Sequence, residues 1–153
     1  MRAALHQALN DVRRELPFIA HAWVLLPEHL HCVWELPEDD AQLGLRWGLV
    51  KRQVTRACRS ELAAELPSAS ASRIVRHEAT FWQRRFWEHR IRDDRDFEKH
   101  VDYIHWNPVK HGHVKRVADR PFSTFHRFVR QGIYAEDWAG EAPKRWDGQE
   151  FGE

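Results

Sequence analysis

Two apolar runs, FIAHAWVLLP (18–27) and HLHCVWEL (29–36), constrain this chain more than any other feature. Both are rich in β-branched and aromatic residues and meet at a tight Pro-Glu corner, which predicts two strands paired as an antiparallel hairpin. Side chains alternate faces along a strand, so His29 and His31 share one face while Leu30 and Cys32 share the other. Two neutral imidazoles converging on one point can hold a divalent metal. The same pair can equally be an ordinary polar face.

The rest of the chain supplies helices. Residues 3–15 space Leu5, Leu9 and Val12 about one turn apart, an amphipathic helix that Pro17 ends. Residues 43–66 predict a long helix with Leu45, Leu49 and Val54 on its buried side and Arg46, Lys51, Arg52, Arg56 and Arg59 along it. Residues 67–79 read as a Ser/Ala loop, and 80–91 as a strand loaded with aromatics beside Arg84, Arg85 and Arg90. Asp93 or Asp94 can cap a further helix running to about Asn107, because Pro108 disfavours helical geometry in the residue before it. A short helix and a tail follow. The order helix, strand, strand, helix, strand, helix predicts an α+β fold with helices packed on an antiparallel sheet. A length of 153 residues suits one domain, 1–139, with 140–153 as a C-terminal tail.

Charge distribution says more than net charge. The total is only +1, yet residues 46–116 carry +7 while the flanks, 1–45 and 117–153, carry −4 and −2. Of the 24 basic residues 19 are arginine, whose planar fork suits phosphate and stacks on bases, although a GC-rich genome enriches arginine as well. Two cysteines exclude a disulfide framework and point to a reducing cytosol. No apolar run approaches membrane-spanning length, and MRAALHQALNDVRREL is too charged for a signal peptide.

The helix before Pro108 carries the most specific pattern. Phe97, Val101 and Ile104 define its buried stripe. Tyr103 lies about 100° from Ile104 and shares a polar face with Lys99, His100 and Asn107. Each element alone has a plain structural explanation: a polar strand face, a helix stop at WNP, aromatic core beside solvated arginines.

Together the blocks AWVLLPEHLHCVW, FWQRRFWEHRIRDDRDFEKHVDYIHWNPVKHGHV and PFSTFHRFVRQGIYAEDW resemble the REP-associated tyrosine transposases, single-tyrosine HUH transposases of the insertion-sequence type. His29-Leu30-His31 matches their HUH motif, with U a large apolar residue. The resemblance implies a ferredoxin-like α+β domain, with His29 and His31 as metal ligands, Asn107 as the polar third ligand and Tyr103 as the nucleophile. It implies Mg²⁺ or Mn²⁺ as cofactor and single-stranded or hairpin DNA of repetitive extragenic elements as partner, in a cytoplasmic, nucleoid-associated protein, monomeric or homodimeric. Arg46, Lys51, Arg52, Arg56, Arg84, Arg85, Arg90 and Lys110 are then the candidate DNA-binding residues. Relatives usually carry a first strand ahead of the helix on which this chain opens, so the sheet is expected to lack that strand. Three alternatives stand beside this reading: a hairpin-binding remnant without catalysis, an unrelated metal-dependent hydrolase built on His29 and His31, and a nucleophile at Tyr134.

Overall fold

The computed structural model describes residues 1–61, 82 and 86–138. They fall into two compact units, one made of Met1–Phe18 and Leu36–Phe86, the other of Ile19–Glu35 and Trp87–Glu153.

The first unit contains two helices, α1 (Arg2–Glu15) and α2 (Leu43–Ala57). The amphipathic spacing of α1 buries Ala8 and Val12, and the helix closes with the Leu16 N–H on Val12 O, one residue before Pro17. The buried line of α2 differs from the expected one. Leu45 is 48% exposed, and the line runs instead through Arg46, Val50 and Val54, one turn apart. An arginine can sit there because every part of its fork is engaged. Its Nη1 and Nη2 clamp Asp40 Oδ1 and Oδ2 at 2.9 and 2.7 Å, while Leu16 O, Pro17 O and Gln42 O accept the remaining hydrogens. Arg46 is therefore a structural tie between α2 and the segments before it, not a DNA-binding cation. The helix breaks earlier than expected, with Cys58 N–H on Val54 O; residues 59–61 are helical again, and 62–66 lie outside the described residues.

The Arg46 guanidinium holds the Asp40 carboxyl down at about 2. Because the folded-state value lies below the unfolded one, this pair stabilises the fold above pH ~4 and its contribution is lost as pH falls toward ~2. Asp40→Asn should lower the melting temperature near neutral pH and flatten the acid limb of an unfolding profile across that window.

The second unit is built on the hairpin. Strands β1 (Ile19–Leu25) and β2 (Leu30–Glu35) pair antiparallel with Val24 opposite His31 and Ala22 opposite Val33, and a bulge falls between Ala20 and Ala22. Leu26 N–H on His29 O closes the corner over Pro27-Glu28. The other edge of β1 is covered: Val24 bridges Ser123, Leu25 N–H reaches Phe122 O, and Arg120 and Arg127 donate to the carbonyls of Leu25, Ala20 and His21. Such capping leaves few ladder groups for a foreign strand.

Helix α3 (Asp94–Lys110) lies on this hairpin. Asp93 caps it, its Oδ1 accepting Asp96 N–H at 2.8 Å. Val101 and Ile104 pack with Ala22, Val24, Leu26 and Val33, and Phe97 lies against them, as the spacing predicts. Pro108 does not end the helix. In the last turn a missing N–H forfeits a single bond, so the helix runs on to Lys110. Its true stop is Gly112 at φ 68°, a conformation that glycine adopts readily, with Gly112 N–H on Val109 O and His113 N–H on Pro108 O. A 3₁₀ turn (Val117–Asp119) and α4 (Phe125–Arg130) complete the unit.

The strand expected over 80–91 is absent from its described part: residues 86–91 are irregular. Here His89 serves a neighbouring carboxylate instead, its Nε2 lying 2.8 Å from Asp96 Oδ2, and just beyond it the backbone N of Arg92 lies 3.1 Å from the same oxygen. The described residues thus form an α+β fold, a two-stranded antiparallel sheet with packed helices. Ile104 is 5% exposed in the core of this unit, so Ile104→Ala should cost about 2–5 kcal/mol in a urea unfolding experiment.

Candidate active site

The sheet face covered by α3 turns polar toward the hairpin corner. Val33, His31 and His29 follow one another on that face, two residues apart. His29 Nε2 and His31 Nε2 lie 3.1 Å apart, their rings edge to face at 83°. From α3 the Asn107 side chain reaches the same point, with Nδ2 3.3 Å from His31 Nε2. Asn107 is fully buried and its Oδ1 has no hydrogen-bond partner. Leaving a buried carbonyl unmatched costs about 1–3 kcal/mol, and such groups concentrate where a ligand completes them. A turn of the amide about its last side-chain bond would bring Oδ1 to the imidazole nitrogens. Two imidazole nitrogens and one amide oxygen then make a donor set that fits a divalent ion, Mn²⁺ somewhat better than the oxygen-seeking Mg²⁺.

Tyr103, one turn before Asn107, is 3% exposed, and its ring meets His31 edge to face at 5.9 Å between centroids. Lys110, two turns further along α3, donates from Nζ to Tyr103 Oη at 3.0 Å. His111, just past the helix, stands edge to face with His29 at 6.4 Å. The phenol, the imidazole pair and the amide are therefore gathered in one place. On the polar stripe that the helical spacing groups together, Tyr103 and Asn107 are both buried.

Tyr134 is used differently. Its Oη donates to Asp102 Oδ1 at 2.6 Å, and its ring stacks on Trp138 at 4.2 Å. Beside it His105 is fully buried, with Nε2 2.8 Å from Thr124 Oγ1, and burial, aided by the Arg127 charge, lowers it to about 3. Thr124 Oγ1 also accepts Trp23 N–H at 2.8 Å and donates to Trp23 O. This chain of contacts joins the middle of α3 to β1 and so fixes the helix that carries Tyr103. The residue types alone gave no signal for it, since its members are far apart in sequence.

Among the described residues one His/Asp cluster offers three ligand atoms within 4.8 Å of one another: His89, Asp96 and His100. Its geometry suits an anchor rather than an ion site. The two imidazoles are stacked 10° from parallel, so their in-plane lone pairs do not meet at one point. Arg92 Nε holds Asp96 Oδ2 at 3.0 Å, and that charge, followed by His89, keeps the carboxyl well below its usual range.

The DNA-binding candidates separate. Arg52, Arg56 and Arg90 are exposed. Lys51 sits over the rings of Trp82 and Phe86, 5.6 and 6.0 Å from their centroids, where burial lowers its pKa. Arg84 and Arg85 lie outside the described residues, as does the tail 140–153. Among the described residues no helix is long and apolar enough to cross a membrane.

A histidine pair at the start of a strand, facing a tyrosine helix on an α+β scaffold, is the arrangement that the resemblance to single-tyrosine HUH transposases implies. No family model matches the chain. It is 48% identical to a REP-associated tyrosine transposase of Escherichia coli K12 over 137 residues, 90% of this chain and 72% of the relative. A Haemophilus influenzae protein given that name provisionally is 47% identical over 133 residues, 87% of this chain and 73% of the relative. A solved structure of a REP-associated tyrosine transposase bound to a REP hairpin superposes with a TM-score of 0.76 at 44% identity, covering 99% of this chain and 81% of that one. The chain belongs to the REP-associated tyrosine transposase family.

Thr124→Val keeps the shape of the side chain but strands both His105 Nε2 and Trp23 N–H. It should cost about 1–3 kcal/mol of stability in denaturant unfolding, more than an exposed Thr→Val exchange elsewhere.

Proposed function

We propose that this chain cuts and rejoins single-stranded DNA at hairpin sites through a 5′-phosphotyrosine on Tyr103, with a divalent ion held by His29, His31 and Asn107. The observation that carries the proposal is convergence. The Tyr103 ring lies against His31, whose Nε2 is 3.1 Å from His29 Nε2 and 3.3 Å from the Asn107 amide. The 44%-identical relative bound to a REP hairpin supports hairpin DNA as the substrate class.

The chemistry follows from the need to reseal without an external energy source. Tyr103 Oη attacks phosphorus and loses its proton to solvent. An O–P bond to tyrosine forms, the P–O3′ bond breaks, and the 3′ oxygen takes up a proton. The phosphoester energy stays in the protein–DNA bond, and the reverse attack by a 3′-OH restores DNA. When bound, Mg²⁺ or Mn²⁺ would polarise the scissile phosphate and offset charge in the transition state. His105, Thr124 and the Val101/Ile104 stripe hold the helix so that the phenol stays at the imidazole pair. Arg52, Arg56 and Arg90, with Arg84 and Arg85, supply positive charge and stacking planes for the strand. The protein acts on DNA in the cytoplasm, as a monomer or homodimer.

Incubation with a single-stranded hairpin oligonucleotide and Mn²⁺ should yield an SDS-resistant protein–DNA adduct. Tyr103→Phe should abolish it, Tyr134→Phe should retain it, and His31→Ala should reduce it by at least about 100-fold. An adduct that survives Tyr103→Phe overturns the assignment of the nucleophile. Tight hairpin binding with no adduct from the unmodified protein returns the chain to a non-catalytic role.

A further inference from the structure

Lys110 follows Tyr103 by seven residues in α3, which returns it to the same helix face. The sequence pattern groups it with the DNA-binding cations; the residue is exposed, and its ammonium reaches the phenol. Nζ donates to Tyr103 Oη at 3.0 Å and stands 5.0 Å from the centroid of the same ring. Tyr103 is 3% exposed, so water has little access to share a charge developing on it, and a direct ammonium contact counts for more.

We infer that Lys110 is a catalytic residue: its ammonium stabilises the negative charge on Tyr103 Oη as the phenol attacks phosphorus, and again as it departs on rejoining. The inference rests on Tyr103 being the nucleophile and adds a role at that same site. In the forward step the phenol proton goes to solvent, the Oη–P bond forms, the P–O3′ bond breaks, and the 3′ oxygen gains a proton from solvent. In the reverse step the 3′ oxygen attacks and a phenolate is expelled. Lys110 stays an ammonium throughout and transfers nothing. A fixed cation beside the oxygen that is nucleophile in one direction and leaving group in the other speeds both, which suits a protein that must cut and reseal equally well.

A phosphate contact is the competing role, and salt separates the two. A lysine that neutralises a phosphate lowers affinity when removed and reduces the slope of log affinity against log salt by about one. A lysine engaged with the phenol leaves both unchanged. The experiment compares Lys110→Met and Lys110→Arg with the unmodified chain. It measures single-turnover adduct formation and resealing on a hairpin oligonucleotide with Mn²⁺, and anisotropy titrations of that oligonucleotide across a salt series. Lys110→Met should slow both directions by about 10²–10³-fold with affinity and salt slope unaltered, and Lys110→Arg should keep a larger share of the rate. A ring-fluorinated tyrosine at position 103, whose phenolate carries charge more easily, should recover part of the Lys110→Met loss, which restored packing alone would not do. Full rates in Lys110→Met, or a loss explained by weaker binding with a shallower salt slope, would overturn the inference. If Tyr103→Phe is inactive while Lys110→Met runs at full rate, only this inference fails. If Tyr103→Phe still forms the adduct, the nucleophile assignment fails and this role with it.

Discussion

The face of the hairpin that carries His29 and His31 is also the face that α3 covers, and the site depends on that coincidence. Further along β2 Val33 meets Val101 and Ile104 in dry contact. Nearer the corner the imidazoles meet Tyr103 and Asn107 from the same helix. One interface therefore serves as core at one end and as the candidate site at the other. Strand alternation puts the histidines on the covered face, and helical period puts the phenol and amide opposite them. A one-residue slip of either element would turn its functional groups away.

Holding that register requires more than apolar packing. His105 and Thr124 tie the middle of α3 to the backbone of Trp23, while Asp96, held by Arg92 and His89, fixes its first turn to the segment before it. At the far end Gly112 closes the helix just beyond Lys110. Tyr103, the proposed nucleophile, thus sits on an element pinned near its start, middle and end, which is how a site keeps reacting atoms aligned without spending binding energy to do so.

Much of this was legible because it rests on short-range periodicity. The hairpin, the Asp93 cap, the Phe97/Val101/Ile104 stripe and the grouping of Tyr103 with Asn107 all follow from spacings of two, three and four residues. The features that escaped depend on partners distant in sequence or on competition between local rules. Arg46 looks like a surface cation until Asp40 and the carbonyls of Leu16 and Pro17 are seen to fill its fork. Pro108 looks like a stop because its local rule is strong, yet in a final turn that rule costs one hydrogen bond. The aromatic alternation before Ile91 reads as a strand, but the polar atoms of His89 and Arg92 go to Asp96 rather than to a neighbouring ladder. The contact between Lys110 and Tyr103 was recoverable, since an i+7 relation to the phenol is visible in the sequence.

The site's logic is tested most directly by locating the covalent bond. Protease digestion of the trapped protein–oligonucleotide adduct, followed by mass spectrometry, reports which residue carries the nucleotide and through which end. The account requires a single modified peptide spanning 101–110, with the DNA 5′ phosphate esterified to Tyr103. Attachment to Tyr134, or linkage through a 3′ phosphate, would contradict it.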